Sequence, residues 1–161
     1  VAFARGGYDV SGKSELLLVE PYCLVYKELV PPESLVKVPF IKYQTDASVA
    51  NIIETWCAEH FDEPPSVAMD VNSMSTCRHF VRAGLGWSIL TYMGLGSCKD
   101  KDIYVSPLRS KDGEYITRDT NMVFTKDAEN LVVVKTFIEY VRNYYKEHTV
   151  VDDSIFREYK A

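Results

Sequence analysis

The run Gly7-Tyr8-Asp9-Val10-Ser11-Gly12-Lys13-Ser14 fits the phosphate-binding pattern G-x-x-x-x-G-K-[ST]. That pattern works when a helix starts at the lysine, so that its first amides and the ammonium group cradle phosphate oxygens. Here Glu15-Leu16-Leu17-Leu18-Val19-Glu20 reaches Pro21 too soon for such a helix and reads as a strand. Bulky Tyr8 and Val10 also stand where the loop must curl tightly. A hairpin turn is the plainer reading, even with Val67-Ala68-Met69-Asp70 available to imitate a magnesium-binding strand.

Cys57-x-x-His60 and Cys77-x-His79 supply four metal-type side chains. Zinc needs its donors to converge at about 2.0–2.3 Å, usually from a knuckle or loop. Both pairs fall in helical patterns, and a two-residue separation points His79 away from Cys77, so no metal site is expected. His60, His79 and His148 are the only histidines, and none neighbours a glycine-flanked nucleophile turn. No catalytic residue and no cofactor is expected, and the chain reads as a non-enzyme.

Two further turns are candidates for binding. Tyr43-Gln44-Thr45-Asp46 and Asp70-Val71-Asn72-Ser73 each lie between a short apolar strand and a helix. Helix starts expose unpaired N–H groups and partial positive charge, worth about 0.3–1 kcal/mol toward an anion. The plainer alternative is that these residues only cap their helices.

The elements that must position those turns follow from periodicity. Val1 to Ala4 reads as a short buried strand ended by Gly6-Gly7, and its abrupt beginning suggests a fragment. Ser14 to Val19 and Tyr22 to Tyr26 read as two extended segments parted by Pro21, and Pro31, Pro32 and Pro39 mark a loop. After the strand Phe40 to Tyr43, Val49, Ile52, Ile53, Trp56 and Phe61 give one apolar helical face, capped by Thr45 or Asp46. The unit repeats: strand Val67 to Met69, a helix capped by Asn72 or Ser73 running to about Ala83, a stop at Gly84 and Gly86, and strand Trp87 to Tyr92. A loop from Gly94 to Asp102 precedes strands at Ile103 to Leu108, Glu114 to Thr117 and Met122 to Thr125. The last predicted helix, from about Glu129 to Glu147, buries Val134, Phe137, Ile138, Val141 and Tyr145. Strand–helix–strand–helix–strand between Phe40 and Tyr92 implies parallel strands, whose carboxyl ends are where α/β sheets bind ligands.

With 47% hydrophobic and 25% charged residues over 161 positions, the chain has the make-up of a folded soluble domain. A net charge of −5 without a basic stripe repels phosphate backbones, so this chain alone is not expected to bind nucleic acid. Four cysteines leave a disulfide framework open by arithmetic. Cys57 and Cys77 sit in apolar helical patterns, however, which favours free thiols in a cytoplasm. No signal peptide and no apolar run long enough for a membrane span is present, so neither export nor a membrane partner is expected.

Val81-Arg82-Ala83-Gly84-Leu85-Gly86-Trp87-Ser88-Ile89-Leu90 resembles the "V-x-A-G-x-G-[IV]-[AS]-[LI]-L" segment of LysR-type transcriptional regulators. Ala2-Phe3-Ala4-Arg5-Gly6 followed by Leu17 to Val25 resembles that family's strand-Arg-Gly passage and the segment after it, and the final strands and helix resemble its closing elements. The resemblance covers about residues 1 to 147. It departs where Thr91-Tyr92 replace the proline that usually follows the Ile-Leu pair.

The resemblance implies an α/β effector domain of two Rossmann-like lobes, of the periplasmic-binding-protein type, with the second lobe complete and the first partial. Residues 1–21 and 107–148 would belong to lobe one, 22–106 to lobe two and 149–161 to a C-terminal tail. The chain would cross between lobes near Tyr22 to Tyr26 and Ile103 to Leu108. A small effector, with a carboxylate, would meet Thr45 and Asp46, Asn72, Ser73 and Met74, with Tyr43, Gln44 and Tyr92 nearby and Arg5 approaching from lobe one. DNA would be bound only by an N-terminal winged helix-turn-helix absent here, in a homodimer or homotetramer. The alternatives are a periplasmic-type solute-binding protein and, less favoured, a small nucleotide-binding enzyme using Gly7 to Ser14.

Overall fold

In the computed structural model, residues 1–5, 12–96, 102–148 and 151–157 are described. In chain order the elements are β1 (Ala2–Arg5), β2 (Lys13–Tyr26), β3 (Phe40–Tyr43), α1 (Ala47–His60), β4 (Val67–Val71) and α2 (Met74–Arg82). They continue with β5 (Ser88–Thr91), β6 (Tyr104–Pro107), β7 (Thr117–Phe124) and α3 (Val132–His148). The chain divides into two compact units, 1–20 with 117–152 and 21–116 with 153–161. Residues 107–116 and the tail from 153 fall in the second unit, apart from 117–152 between them.

In the first unit β1 pairs antiparallel with β7, Phe3 opposite Met122 and Arg5 opposite Thr120. Leu17, Met122, Phe124, Ile138 and Val141 form its core. Arg142 on α3 donates to Glu15 at 2.8 and 2.5 Å and reaches Glu129 at 3.4 Å, and Lys13 pairs with Glu129 as well. The Arg142 guanidinium holds the Glu15 carboxyl below its ordinary value and is itself pushed up by that partner.

Several expectations are corrected here. The strand at the start of the chain forms, but Phe3 stays 49% exposed, so it is not a buried one. The two segments flanking Pro21 are one strand, β2. Pro21 is tolerated because it stands where β2 passes from the first unit to its partners in the second. The predicted strands Glu114 to Thr117 and Met122 to Thr125 are instead a short hairpin arm, with Arg109 opposite Tyr115, followed by the eight-residue β7. The polar run Arg118-Asp119-Thr120-Asn121 continues the strand because Thr120 is buried and its neighbours face outward. The last helix starts at Val132, after a 3-10 turn over Lys126–Asn130, and Phe137 is 43% exposed rather than buried.

The phosphate-loop candidate falls partly outside the described residues, since Gly7 to Ser11 are not among them. Its decisive part is visible: from Lys13 the chain runs as β2, so no helix start is there to receive phosphate.

The second unit holds the larger core. The second half of β2 lies between β5 and β6, antiparallel to both, with Leu24 opposite Ile89 and Ser106. β3 and β4 are parallel, Tyr43 level with Val71. On its other side β3 meets the start of β5, where Trp87 N–H donates to Pro39 O (3.0 Å) and Ile41 N–H to Trp87 O (2.9 Å). The parallel arrangement expected of Phe40 to Tyr92 is thus present. Trp87 is fully buried among Phe40 and Phe61, with its indole N–H on Val38 O at 3.0 Å. Gly86 makes the β3–β5 contact possible, because a Cβ there would stand 2.3 Å from Pro39 O.

Candidate functional site

The order β4–β3–β5 means that the chain leaves β3 in one direction and comes back past it in the other. A parallel sheet opens a crevice outside the carboxyl ends of its strands at such a reversal. Those ends are Tyr43, Val71 and Thr91. Gln44 N–H donates to Val71 O at 2.8 Å, which keeps the first two side by side.

Each end turns into a helical segment stopped by a side-chain oxygen. Asp46 Oδ1 accepts from Val49 N–H at 3.0 Å and starts α1. Ser73 Oγ accepts from Thr76 N–H at 3.1 Å and starts α2, its hydroxyl also lying 2.9 Å from Thr76 Oγ1. Thr91 Oγ1 accepts from Gly94 N–H at 3.2 Å and starts a 3-10 turn over Tyr92–Leu95. Between the two caps weighed for each helix, Asp46 and Ser73 are the ones used. The Thr91 hydroxyl also donates to Met74 Sδ at 3.8 Å, which ties the end of β5 to the start of α2. A Cβ on Gly94 would lie 2.5 Å from that sulfur, so a larger residue there would push the Met74 side chain aside.

Charge separates the helix starts. α1 carries the Asp46 carboxylate at its cap, which offsets the positive end of the helix. α2 has a neutral serine cap and no acidic residue in its first turn, and His79 and Arg82 stand in its last. The start of α2 is therefore the more favourable side for an anion and the Asp46 side for a cation.

Seven of the nine residues singled out from sequence lie at this edge of the second unit, at the end of β3, in the turns after β3 and β4 and at the helix starts, and Tyr92 follows β5. Gln44, Asp46 and Asn72 are exposed, Thr45, Ser73, Met74 and Tyr92 half-buried, and Tyr43 buried. Arg5 is exposed at the end of β1 in the first unit. Sequence reasoning passed over Thr91, whose buried hydroxyl makes the third cap; a threonine after an apolar strand was the available signal. It also passed over Arg78, which donates to Leu95 O while its buried Nε has no partner. Nothing marks a lone arginine in an amphipathic helix.

Beside this edge a cavity of about 430 Å³ opens between β3 and α1, lined by Phe40, Tyr43, Thr45, Ile53, Cys57 and Phe61 among others. Burial, with the Glu54 carboxylate adding to it, pushes the Cys57 thiol up to about 11, so this thiol is neutral at ordinary pH. Tyr43 and Thr45 belong to both the cavity and the strand-end turn. Cys23, Cys57 and Cys77 are free thiols, Cys98 lies outside the described residues, and no metal-type cluster occurs among the described residues. Among those residues no helix is long and apolar enough to cross a membrane.

The LysR substrate binding domain family matches residues 1–146. The chain belongs to that family. It is 32% identical over 142 residues to the HTH-type transcriptional regulator YraN of Bacillus subtilis (strain 168), covering 88% of this chain and 48% of that protein. To the HTH-type regulator YkuM of the same organism it is 26% identical over 145 residues, covering 89% of this chain and 49% of the other. The chain thus spans about half the length of these relatives. Among solved structures, the regulatory domain of CcmR from Synechocystis PCC6803 in complex with 2-PG superposes with a TM-score of 0.65 at 14% identity, over 92% of this chain and 74% of that one. The regulatory domain of CrgA from Neisseria meningitidis also gives 0.65, at 16% identity, over 90% and 76%. These likenesses show that the fold is that of LysR regulatory domains, the mixed α/β architecture expected from the sequence.

Proposed function

We propose that this chain is the effector-sensing part of a LysR-type transcription regulator of a bacterial cytoplasm, and that it binds a small carboxylate-bearing molecule without changing it chemically. The observation that carries the reading is the meeting of three capped helical starts at one edge of the second unit, with a neutral cap at α2 and a carboxylate cap at α1. The carboxylate is taken by the start of α2, at Asn72, Ser73 and Met74. An amine on the same ligand is taken beside Asp46, and its apolar body lies against Tyr43, Thr45 and Tyr92. Gln44 closes the turn between β3 and β4.

In the whole protein, occupancy of this site changes the affinity of a winged helix-turn-helix for DNA in a homodimer or homotetramer. Such a coupling typically amounts to about 1–3 kcal/mol and acts equally in both directions. The half-length match to HTH-type regulators supports this division of labour, and the net charge of −5 agrees with DNA being bound elsewhere.

A thermal-shift screen of small carboxylates, with 2-PG included because the CcmR domain holds it, identifies ligands that raise the melting point. Ser73→Arg fills the start of α2, and calorimetry should then find no binding while the far-UV spectrum is unchanged. Wild-type affinity in that variant would move the site elsewhere.

A further inference from the structure

After α3 the chain returns to the second unit for a short stretch, and what it does there is specific. Asp153–Ile155 form a 3-10 turn, closed by Phe156 N–H on Asp153 O at 3.1 Å. Arg157 N–H then donates to Val105 O at 2.8 Å, and Ser106 Oγ donates to Arg157 O at 3.2 Å. The tail thereby attaches to β6, whose pairing to β2 sets Val105 opposite Val25. Ser106 is held for this contact by Tyr26, whose hydroxyl lies 2.9 Å from its Oγ. Ile155 and Phe156 are half-buried against the core of the unit, and the Arg157 guanidinium sits 5.7 Å from the Tyr104 ring.

One contact reaches the ligand edge. The Phe156 ring meets Tyr92 edge-on, centroids 6.2 Å apart at 75°. That is the favourable geometry for an aromatic pair. Tyr92 is the first residue of the turn that Thr91 caps, and the same Thr91 holds Met74 at the start of α2.

From this we infer that residues 153–157 are a strap: docked on β6, they hold the Tyr92–Leu95 turn shut through Phe156, which acts as a positioning residue for Tyr92. Undocking the strap releases the turn. Beside this ring contact the turn is tied within itself and to α2, by Gly94 N–H on Thr91 Oγ1 at 3.2 Å, Gly96 N–H on Met93 O at 3.2 Å and Arg78 on Leu95 O, and the strap adds the tie from the tail.

Hydrogen exchange on the whole ligand-free chain tests this, comparing wild type with Phe156→Ala and with Arg157→Pro, which removes the donor to Val105. Local opening governs such exchange, so the segment 92–96 should exchange about tenfold faster in both variants while α1 and β3 keep wild-type rates. Unchanged exchange of 92–96 in both variants would overturn the proposal, as would a wild-type Arg157 amide that exchanges as fast as an unstructured one. General acceleration across α1 and β3 would equally overturn it, because the strap would then support the whole unit and not the turn. None of these readouts involves a ligand, so the result stands or falls apart from the sensor reading.

Discussion

Replacing Gly86 by alanine attacks the point where β3 and β5 touch. The added Cβ would lie 2.3 Å from Pro39 O and 3.0 Å from Ile41 Cγ1. The first of these neighbours is backbone and has no rotamer to change. Relief requires β5 to move off β3, which breaks the Trp87–Pro39 and Ile41–Trp87 hydrogen bonds. Two such bonds are worth about 2 kcal/mol together. Overpacking adds about 1–3 kcal/mol, and the stiffer unfolded chain returns about 0.4–1 kcal/mol. The net cost is about 2–5 kcal/mol, a large share of the roughly 5–15 kcal/mol that holds a domain folded. Trp56 and Trp87 are the only tryptophans, both are buried, and both belong to the second unit, so urea unfolding followed by their fluorescence reads the right place. With a slope of about 2 kcal/mol/M the midpoint should fall by about 1–2.5 M. Gly113→Ala is the control, since its Cβ meets open space and only the positive φ of 85° is strained; it should cost about 1 kcal/mol. Equal midpoints for the two variants would refute the claim that the β3–β5 contact is sterically set.

Three further outcomes follow from the same contacts. Asp46→Ala removes the α1 cap and should cost about 1 kcal/mol in the same unfolding experiment, with Asp46→Asn recovering most of it. Glu15→Gln concerns the first unit. The Glu15 carboxyl is held below its ordinary value of 4.5 by hydrogen bonds from Arg142, so its stabilising effect is complete above that pH and is lost as pH falls through the lowered value. Acid unfolding of the first unit below pH 4.5, followed by circular dichroism, should be shallower in the variant, and an identical profile would remove Glu15 from the account. Cys57 alkylation, followed by peptide mass, should rise about tenfold per pH unit through pH 10 because the thiol ionises only at about 11. A plateau near pH 8.5 would contradict the burial assigned to it.

Much of the site edge was legible because helix caps and apolar strands are local signals. Thr45 or Asp46 and Asn72 or Ser73 announce their helices by residue type, and the strand–helix alternation from Phe40 to Tyr92 implies parallel pairing. What escaped reading was decided by neighbours. Pro21 looks like a break until the strand is seen to change partners there. Arg118 to Asn121 look like a loop by their polarity, yet Thr120 is buried and Arg118 is held by the buried Glu20 carboxylate. Phe137 fits the helical stripe by spacing, yet burial of a helix flank depends on what packs beside it, and with Phe3 edge-on against it Phe137 is still 43% exposed. The docking of Phe156 on Tyr92 joins residues 64 positions apart by number, and no periodic pattern carries that information.

The central claim is that one ligand engages all three strand ends of the second unit. Amide NMR titration of the isotope-labelled chain, with the strongest carboxylate from the thermal-shift screen, addresses it directly. The account predicts concerted, saturable shifts at Val49, Thr76 and Gly94, whose N–H groups are bonded to the three caps. Shifts confined to the cavity wall around Cys57 and Phe61, with those three amides unmoved, would contradict it.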